Sequence, residues 1–406
     1  MFPQAVKGNR GTGSRPELGY SWPRVAVPAE VGDRVAKSFK RRAPLWTRLC
    51  AVFGSVLMVV SGGVLVGGNA LISRYTSAVD AGGTLIGDPA AATQKSEIKG
   101  PINILLAGID PRDTKTAPLS DSIIVAHIPA SMDQVYLFSI PRDLYVDIPA
   151  FEPTGFKGGK SKINAAMSYG SSVGNGEHDV KQGFQLLAKT VTKLTGIKTF
   201  DAGAIINFGG FKKIVEAMGG VTMTIDQNVK SEHLQPNGKA RPRIPGCDKC
   251  AHPYTGAQKT YKKGTYHLEA WEALDYVRQR YTLPNGDYDR QRHQQQFVKA
   301  MAKQAMSKDV VSNPTKLLSI LDAAGDSLTF DGGGNSVIDW AVALRGVNTD
   351  DMTSIKLPGG GLFEQGSNKY LGEQLSGDYE QFFQAVKDDQ IAPFLLDHPG
   401  FVNVNS

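Results

Sequence analysis

The sequence predicts an α/β protein: a layered α-β-α domain with a central mixed sheet, preceded by one transmembrane helix. Three observations predict it. Apolar, β-branched runs at 102–110 (INILLAGID), 122–128 (SIIVAHI) and 134–140 (QVYLFSI) have strand composition. Helical patterns at 163–169 and 180–195 follow, with further strand or helix candidates at Ala204–Phe208, Gly210–Met218 and Val221–Ile225. Strands alternating with helices suit helices on both faces of one sheet. Finally, Cys50 to Ile72 is a run of 23 residues with no charge. That is long enough to cross a bilayer core of roughly 30 Å.

The elements come in order. Residues 1–48 form a basic tail, rich in Gly, Pro and charge, with little apolar periodicity, read as disordered and cytoplasmic. It carries ten Lys or Arg against three acids, so the rest of this chain of net charge +6 is close to neutral. The fold is therefore not a basic nucleic-acid binder. Residues 49–72 hold the expected transmembrane helix. Lys40, Arg41, Arg42 and Arg48 precede it and Arg74 alone follows closely. The positive-inside rule puts the N-terminus in the cytoplasm and everything after about residue 73 outside. A cleaved signal peptide fits less well, because the apolar run is too long and the extension before it too large. Residues 73–100 read as a polar linker. A globular domain is expected over 101–310, and 311–406 to complete it, with helices at Leu317–Ala324, Ile338–Arg345 and Tyr379–Ile391. Cys247 and Cys250, in the exported part, are most simply a local disulfide bracing a loop.

The chemistry concentrates at 276–296, YVRQRYTLPNGDYDRQRHQQQ. Arg278, Arg280, Arg290 and Arg292 fall within fifteen residues, around a turn at Leu283-Pro284-Asn285-Gly286. His267–Leu274 reads as helix, and 276–281 as extended, which would point Arg278 and Arg280 to one side. A helix starting near Asp287 or Asp289 would put Arg290 and Gln294 on one face. A concave arginine cluster at a helix start suits a polyanion, since guanidinium binds phosphate oxygens bidentately and stays charged. Most charge runs are merely solvated surface; the interleaved acids Asp275, Asp287 and Asp289 argue for more.

Asp110 ends the first strand and Asp121 opens the second; Arg142 follows the third. In open α/β sheets ligands sit at the carboxyl ends of strands. Two carboxylates brought together suit Mg²⁺, which takes one or two of them plus phosphate oxygens. Each Asp alone is as well explained as an ordinary loop residue or cap. No GxxxxGK[ST] loop is present, which argues against a nucleoside triphosphatase. His293 lies within the cluster, where a lone His is more often a spacer than a base.

Several segments carry a resemblance: NILLAGIDPR (103–112), SDSIIVAHI (120–128), FSIPRDLYVDIP (138–149), KINAAMSYG (162–170), NFGGFKKIVEAMGGV (207–221), YVRQRY (276–281) and GDYDRQRHQQQF (286–297). Together, and in this order, they resemble the LytR-CpsA-Psr family of bacterial cell-wall glycopolymer ligases. The resemblance implies a membrane-anchored, extracytoplasmic phosphotransferase that moves a glycopolymer from a polyprenyl-pyrophosphate carrier to peptidoglycan. It implies that Asp110 and Asp121 hold Mg²⁺ or Mn²⁺, and that Arg142, Arg278, Arg280, Arg290 and Gln294 bind the diphosphate. Asp287 and Asp143 are the candidate bases. With water as acceptor the protein would be a polyprenyl pyrophosphatase; without reaction, a lipid-diphosphate binder regulating wall synthesis. Many family members carry an arginine two residues before the second aspartate, where this chain has Leu119. Either a neighbour such as Arg112 compensates or one contact is lost. The resemblance also suggests a prenyl tunnel along Phe184, Leu187, Val191 and Leu194, or Phe211, Ile214, Val215 and Met218; plain core is the better reading for most of them.

Overall fold

The computed structural model describes residues 85–86, 97–110, 115–247, 250, 252–307 and 314–403. All belong to one compact unit, 63–406. Three antiparallel strands open it: β1 (Ile102–Ile109), β2 (Ser120–Ile128) and β3 (Tyr136–Ser139). Next come the hairpin β4 (Tyr145–Ile148) with β5 (Gly159–Lys162), helix α1 (Ala165–Ser171), the small hairpin β6 (Ser172–Gly174) with β7 (Glu177–His178), and α2 (Val180–Thr195). β8 (Ala202–Asn207) leads directly into α3 (Phe208–Ala217). β9 (Val221–Ile225) pairs with β12 (Gly264–Leu268), and β10 (Val229–Lys230) with β11 (Thr260–Tyr261). α4 (Ala270–Arg278), α5 (Asp287–Ala305) and α6 (Pro314–Ala324) follow. The chain then gives β13 (Leu328–Asp331), α7 (Val337–Ala343), β14 (Thr353–Ile355), the hairpin β15 (Gly359–Phe363) with β16 (Tyr370–Leu375), α8 (Tyr379–Lys387) and α9 (Ile391–Asp397).

The central six-stranded sheet runs β13-β8-β1-β2-β3-β14. β8 is parallel to β1 and β14 to β3, while the other neighbours are antiparallel, so the sheet is mixed. Both faces are buried, and β2 shows why its sequence is nearly all apolar. Ile123 and Val125 join the cluster that holds Leu105, Phe138, Phe184 and Phe382. Ile124, Ala126 and Ile128 join the opposite one, with Leu137 and Trp340. Successive side chains point to opposite faces, so a strand covered on both sides needs apolar residues at every position.

α2 is capped by Asp179, whose carboxylate accepts from the Lys181 and Gln182 amides, and it ends at Gly196 with φ 74°. Its Phe184, Leu187 and Val191 are fully buried in the core, each worth roughly 2 kcal/mol of apolar burial. Phe211, Val215 and Met218 are likewise buried side chains of the core clusters.

The structure departs from the sequence reading in five places. His267 lies in β12, and the helix starts at Ala270, fixed by the reciprocal capping box of Glu269 and Glu272. The same helix runs on through Arg278, because Ala270, Ala273, Leu274 and Val277 repeat at helical spacing against a third cluster. The extended reading of 276–281 therefore fails, and Arg278 closes a helix. Next, the 73–100 stretch is not all linker: Leu85 and Ile86 are buried, and their amides donate to Asp331 Oδ2 at 2.8 and 3.0 Å. The final helix also breaks in two, since Asp389 has φ 56°, which no α-helix can continue through. Lastly, β13 and β14 add strands to both edges of the sheet, elements too short to show a period in sequence. The expected membrane span, Cys50–Ile72, lies outside the described residues; among these, no helix is long and apolar enough to cross a membrane.

Candidate active site

Sheet direction gathers the site. β1, β3, β8 and β14 run one way and β2 the other. The carboxyl ends of the first four and the start of β2 therefore share one edge of the sheet. That edge carries Asp110, Asp121, Arg142 and Phe208. α5 begins there with Asp287, Arg290 and Gln294 on one face (i, i+3, i+7), and α4 ends there with Arg278.

Five charged residues meet directly. Arg142 pairs with Asp121 through Nη1, and its Nε lies 3.8 Å from Asp143 and 4.0 Å from Asp287. Arg290 Nη2 is 2.6 Å from Asp287 Oδ1 and donates to the Asp121 carbonyl at 3.3 Å. Asp287 Oδ2 also accepts from Gln291 at 3.1 Å, so this carboxylate sits between two guanidiniums. It is built to orient them. Gln294 Oε1 accepts from Ser122 Oγ at 2.9 Å, which ties α5 to β2. Arg278 forms a second group: it lies 3.7 Å from Asp110 and stacks on Phe208, 4.1 Å from the ring centroid. Arg280 turns aside, donating to its neighbour Tyr281 Oη at 2.7 Å. Its charge acts on Arg290 as well.

The electrostatics are asymmetric. Burial depresses the Arg290 guanidinium, Arg142 and Arg280 add to that, and Asp287 and Asp121 do not offset it, so its pKa lies below the ordinary value. For Arg142 burial acts the same way, but Asp121, Asp143 and Asp287 outweigh it and its pKa is raised. The Nε donors of both arginines are buried without a hydrogen-bond partner, and so is Ser120 Oγ. Buried donors left unpaired cost free energy. An anion bound beside the two guanidiniums would offset the repulsion that Arg142 and Arg280 exert on Arg290.

Asp110 and Asp121 are hard oxygen donors at adjacent ends of paired strands, which suits a Mg²⁺ completed by ligand oxygens. Among the described residues no group of three or more His, Cys, Asp or Glu is placed to hold a metal. A metal at this pair therefore needs the oxygens of a bound anion, and Arg142 and Arg278 now balance the two carboxylates. Leu119 is exposed and brings no charge to the site; Arg112 lies outside the described residues.

Sequence reasoning missed several partners. Phe208 was legible only as the end of a strand or helix candidate, and Ser122 only as a small residue in a strand. His293 is fully buried, stacked on Tyr276 with centroids 4.5 Å apart, and its Nε2 is 3.4 Å from Asp226. Arg292 bridges Asp226 and Asp289. This network carries no site chemistry; it fixes the first turns of α5. Neither Asp287 nor Asp289 caps that helix. Gly286 holds the cap position at φ 53°, and Asp289 reaches back to the Asn285 amide at 3.0 Å. Cys247 and Cys250 are joined as a disulfide.

Residues 71–387 match the LytR_cpsA_psr family. The chain belongs to that family. Among relatives of this family member, the polyisoprenyl-teichoic acid–peptidoglycan teichoic acid transferase TagU of Enterococcus faecalis is 28% identical over 267 residues, 64% of this chain and 74% of that protein. The cell wall biosynthesis protein LcpA of Corynebacterium glutamicum is 27% identical over 318 residues, 75% of this chain and 55% of that one. Two crystal structures share the fold. Bacillus subtilis TagV aligns with TM-score 0.51 and 23% identity, covering 73% of this chain and 98% of that one. Protein gbs0355 of Streptococcus agalactiae aligns with TM-score 0.53 and 21% identity, covering 71% and 87%. A mixed α/β fold on a central mixed sheet is therefore the family architecture.

Proposed function

We propose that this family member is a membrane-anchored, extracytoplasmic phosphotransferase that joins a cell-wall glycopolymer, carried on polyprenyl pyrophosphate, to a hydroxyl of peptidoglycan. The observation that carries the reading is the meeting of Arg142 and Arg290 on Asp121 and Asp287 at the strand-end edge, with Asp110 and Arg278 paired beside them. The named activity of the E. faecalis relative supports the same class of donor and acceptor.

In this reading Arg142 and Arg290 take the diphosphate oxygens, and Arg278 and Arg280 flank them. Gln294 holds α5 against β2, and Asp287 keeps Arg142 and Arg290 aligned. Asp110 and Asp121 would hold Mg²⁺, which would supply neutralising charge at the transferring group. The acceptor oxygen forms a bond to the phosphorus that bears the glycan. The bond from that phosphorus to the bridging oxygen breaks, and polyprenyl phosphate leaves. The hydroxyl proton passes to a carboxylate facing the cluster; Asp143, 3.2 Å from Lys162 and 3.8 Å from Arg142, and Asp287 are the two candidates.

The test is an incubation of the purified full chain in detergent with a labelled lipid-diphosphate glycan, Mg²⁺ and peptidoglycan. Label on the peptidoglycan is the expected product. Label released only as free glycan phosphate would make the protein a pyrophosphatase, and tight lipid binding with neither product would make it a binder.

A further inference from the structure

The β15–β16 hairpin is docked on the site yet takes no part in the arginine cluster. The Glu373 amide donates to the Asp143 carbonyl at 2.7 Å, and a Cβ on Gly372 would lie 2.4 Å from that same oxygen. The two backbones are in contact, which only glycine at 372 permits. Tyr288, the residue after Asp287, places its hydroxyl against Gly359 and donates to Glu373 Oε2 at 3.5 Å. Lys162 lies 3.2 Å from Asp143 and 4.9 Å above the Tyr370 ring. The hairpin is therefore fixed directly against Arg142–Asp143 and the start of α5.

Its outer face is unusual. Phe363 and Tyr370 pack edge to face with centroids 5.6 Å apart, yet are 55% and 41% exposed. The Tyr370 hydroxyl donates to Glu373 Oε1 at 2.9 Å. A carboxylate has about four lone-pair sites, so Glu373 keeps acceptor capacity after serving two phenols. Exposed aromatic faces beside an ordered carboxylate and ammonium match a ligand with apolar C–H faces and hydroxyl edges, which is a sugar.

We propose that this face, centred on Phe363, Tyr370 and Glu373, is the acceptor subsite: a carbohydrate surface that receives a peptidoglycan glycan strand and presents one of its hydroxyls to the arginine cluster. The proposal rests on the transferase reading for its occupant. Phe363 and Tyr370 stack on successive sugars, Glu373 accepts a sugar hydroxyl, and Asp143 leads from this surface to Arg142.

The experiment measures binding of soluble, uncrosslinked strands of alternating N-acetylglucosamine and N-acetylmuramic acid to the full chain in detergent. Geranylgeranyl diphosphate serves as a separate probe of the arginine cluster. The Phe363→Ala/Tyr370→Ala double variant is expected to weaken strand binding about tenfold, as loss of two stacking contacts predicts, with diphosphate binding unchanged and the protein still folding cooperatively. Tyr370→Phe keeps the ring and is expected to bind strands within about twofold of wild type. Wild-type affinity in the double variant, or no strand binding by the wild type, overturns the proposal. Loss of strand binding in the double variant, in a protein that transfers no glycan from any donor, leaves the carbohydrate surface standing and removes the transferase reading.

Discussion

His293 reports how residues outside the chemistry hold it in place. Its ring is buried and both nitrogens lack a well-formed hydrogen bond. Burial lowers its pKa, and the Asp226 carboxylate does not offset this. His127 and His233 are lowered by burial in the same way. A histidine depressed in the folded state is protonated more readily when unfolded. Its contribution is present above the ordinary value near 6.5 and is lost as pH falls below it. Asp226 behaves as an acid with the same sign: burial opposes ionisation, but His293 and Arg292 outweigh it and hold the carboxyl at about 2. Its stabilisation is complete above the usual carboxylate range and disappears as pH falls from about 4 towards 2. The melting temperature is therefore expected to fall in two stages on acidification, between pH 7 and 5 and again below 4. His293→Gln should flatten the first stage. A melting temperature that stays level from pH 7 to 5 contradicts this account of the buried histidines.

At the scale of elements, α5 is the part on which the site depends most. Asp289 is buried in its first turn, accepts from the Asn285 amide and side chain at 3.0 and 3.1 Å, and pairs with Arg292. Asp289→Ala leaves that amide and Arg292 short of an acceptor, at a cost of about 1–3 kcal/mol. Because Arg290 is the next residue, transfer should fall along with stability, and Asp289→Asn should restore part of both by keeping an acceptor. Full stability and activity in Asp289→Ala would show that the turn is held by other contacts. The helices α1 and α2 and the strands β1, β2 and β3 were legible because apolar, β-branched runs and helical apolar period are local signals, whereas Val221–Ile225 was open between strand and helix until its pairing with β12 decided it. The end of α4 was not, because the charges of Arg278 and Arg280 sit over the apolar repeat of Ala270, Ala273, Leu274 and Val277 and mask it. β13 and β14 are short and pair with strands far away in sequence, and the β15–β16 hairpin is glycine-rich, so local pattern says little about any of them.

For the whole molecule, the topology of one sheet explains why residues from six segments meet. The mixed directions bring Asp110, Asp121, Arg142 and Phe208 to one edge, and the third dimension is supplied by α4 and α5. The residue types of the site were readable because carboxylates followed apolar strands and arginines clustered. Their pairing was not: that Arg142 and Arg290 share Asp287, and that Arg280 turns to Tyr281, depends on helix ends that pattern alone misplaced. The central claim is that the Arg142–Arg290 pair is a diphosphate cradle. It is tested by comparing the affinity of the full chain for geranylgeranyl diphosphate with that for geranylgeraniol, which shares the tail and lacks the charge. Wild type should prefer the diphosphate, and Arg290→Ala should cut that preference roughly 10- to 100-fold, the size of one or two charge-assisted hydrogen bonds, with alcohol binding unchanged. An undiminished preference for the diphosphate in Arg290→Ala would contradict the account.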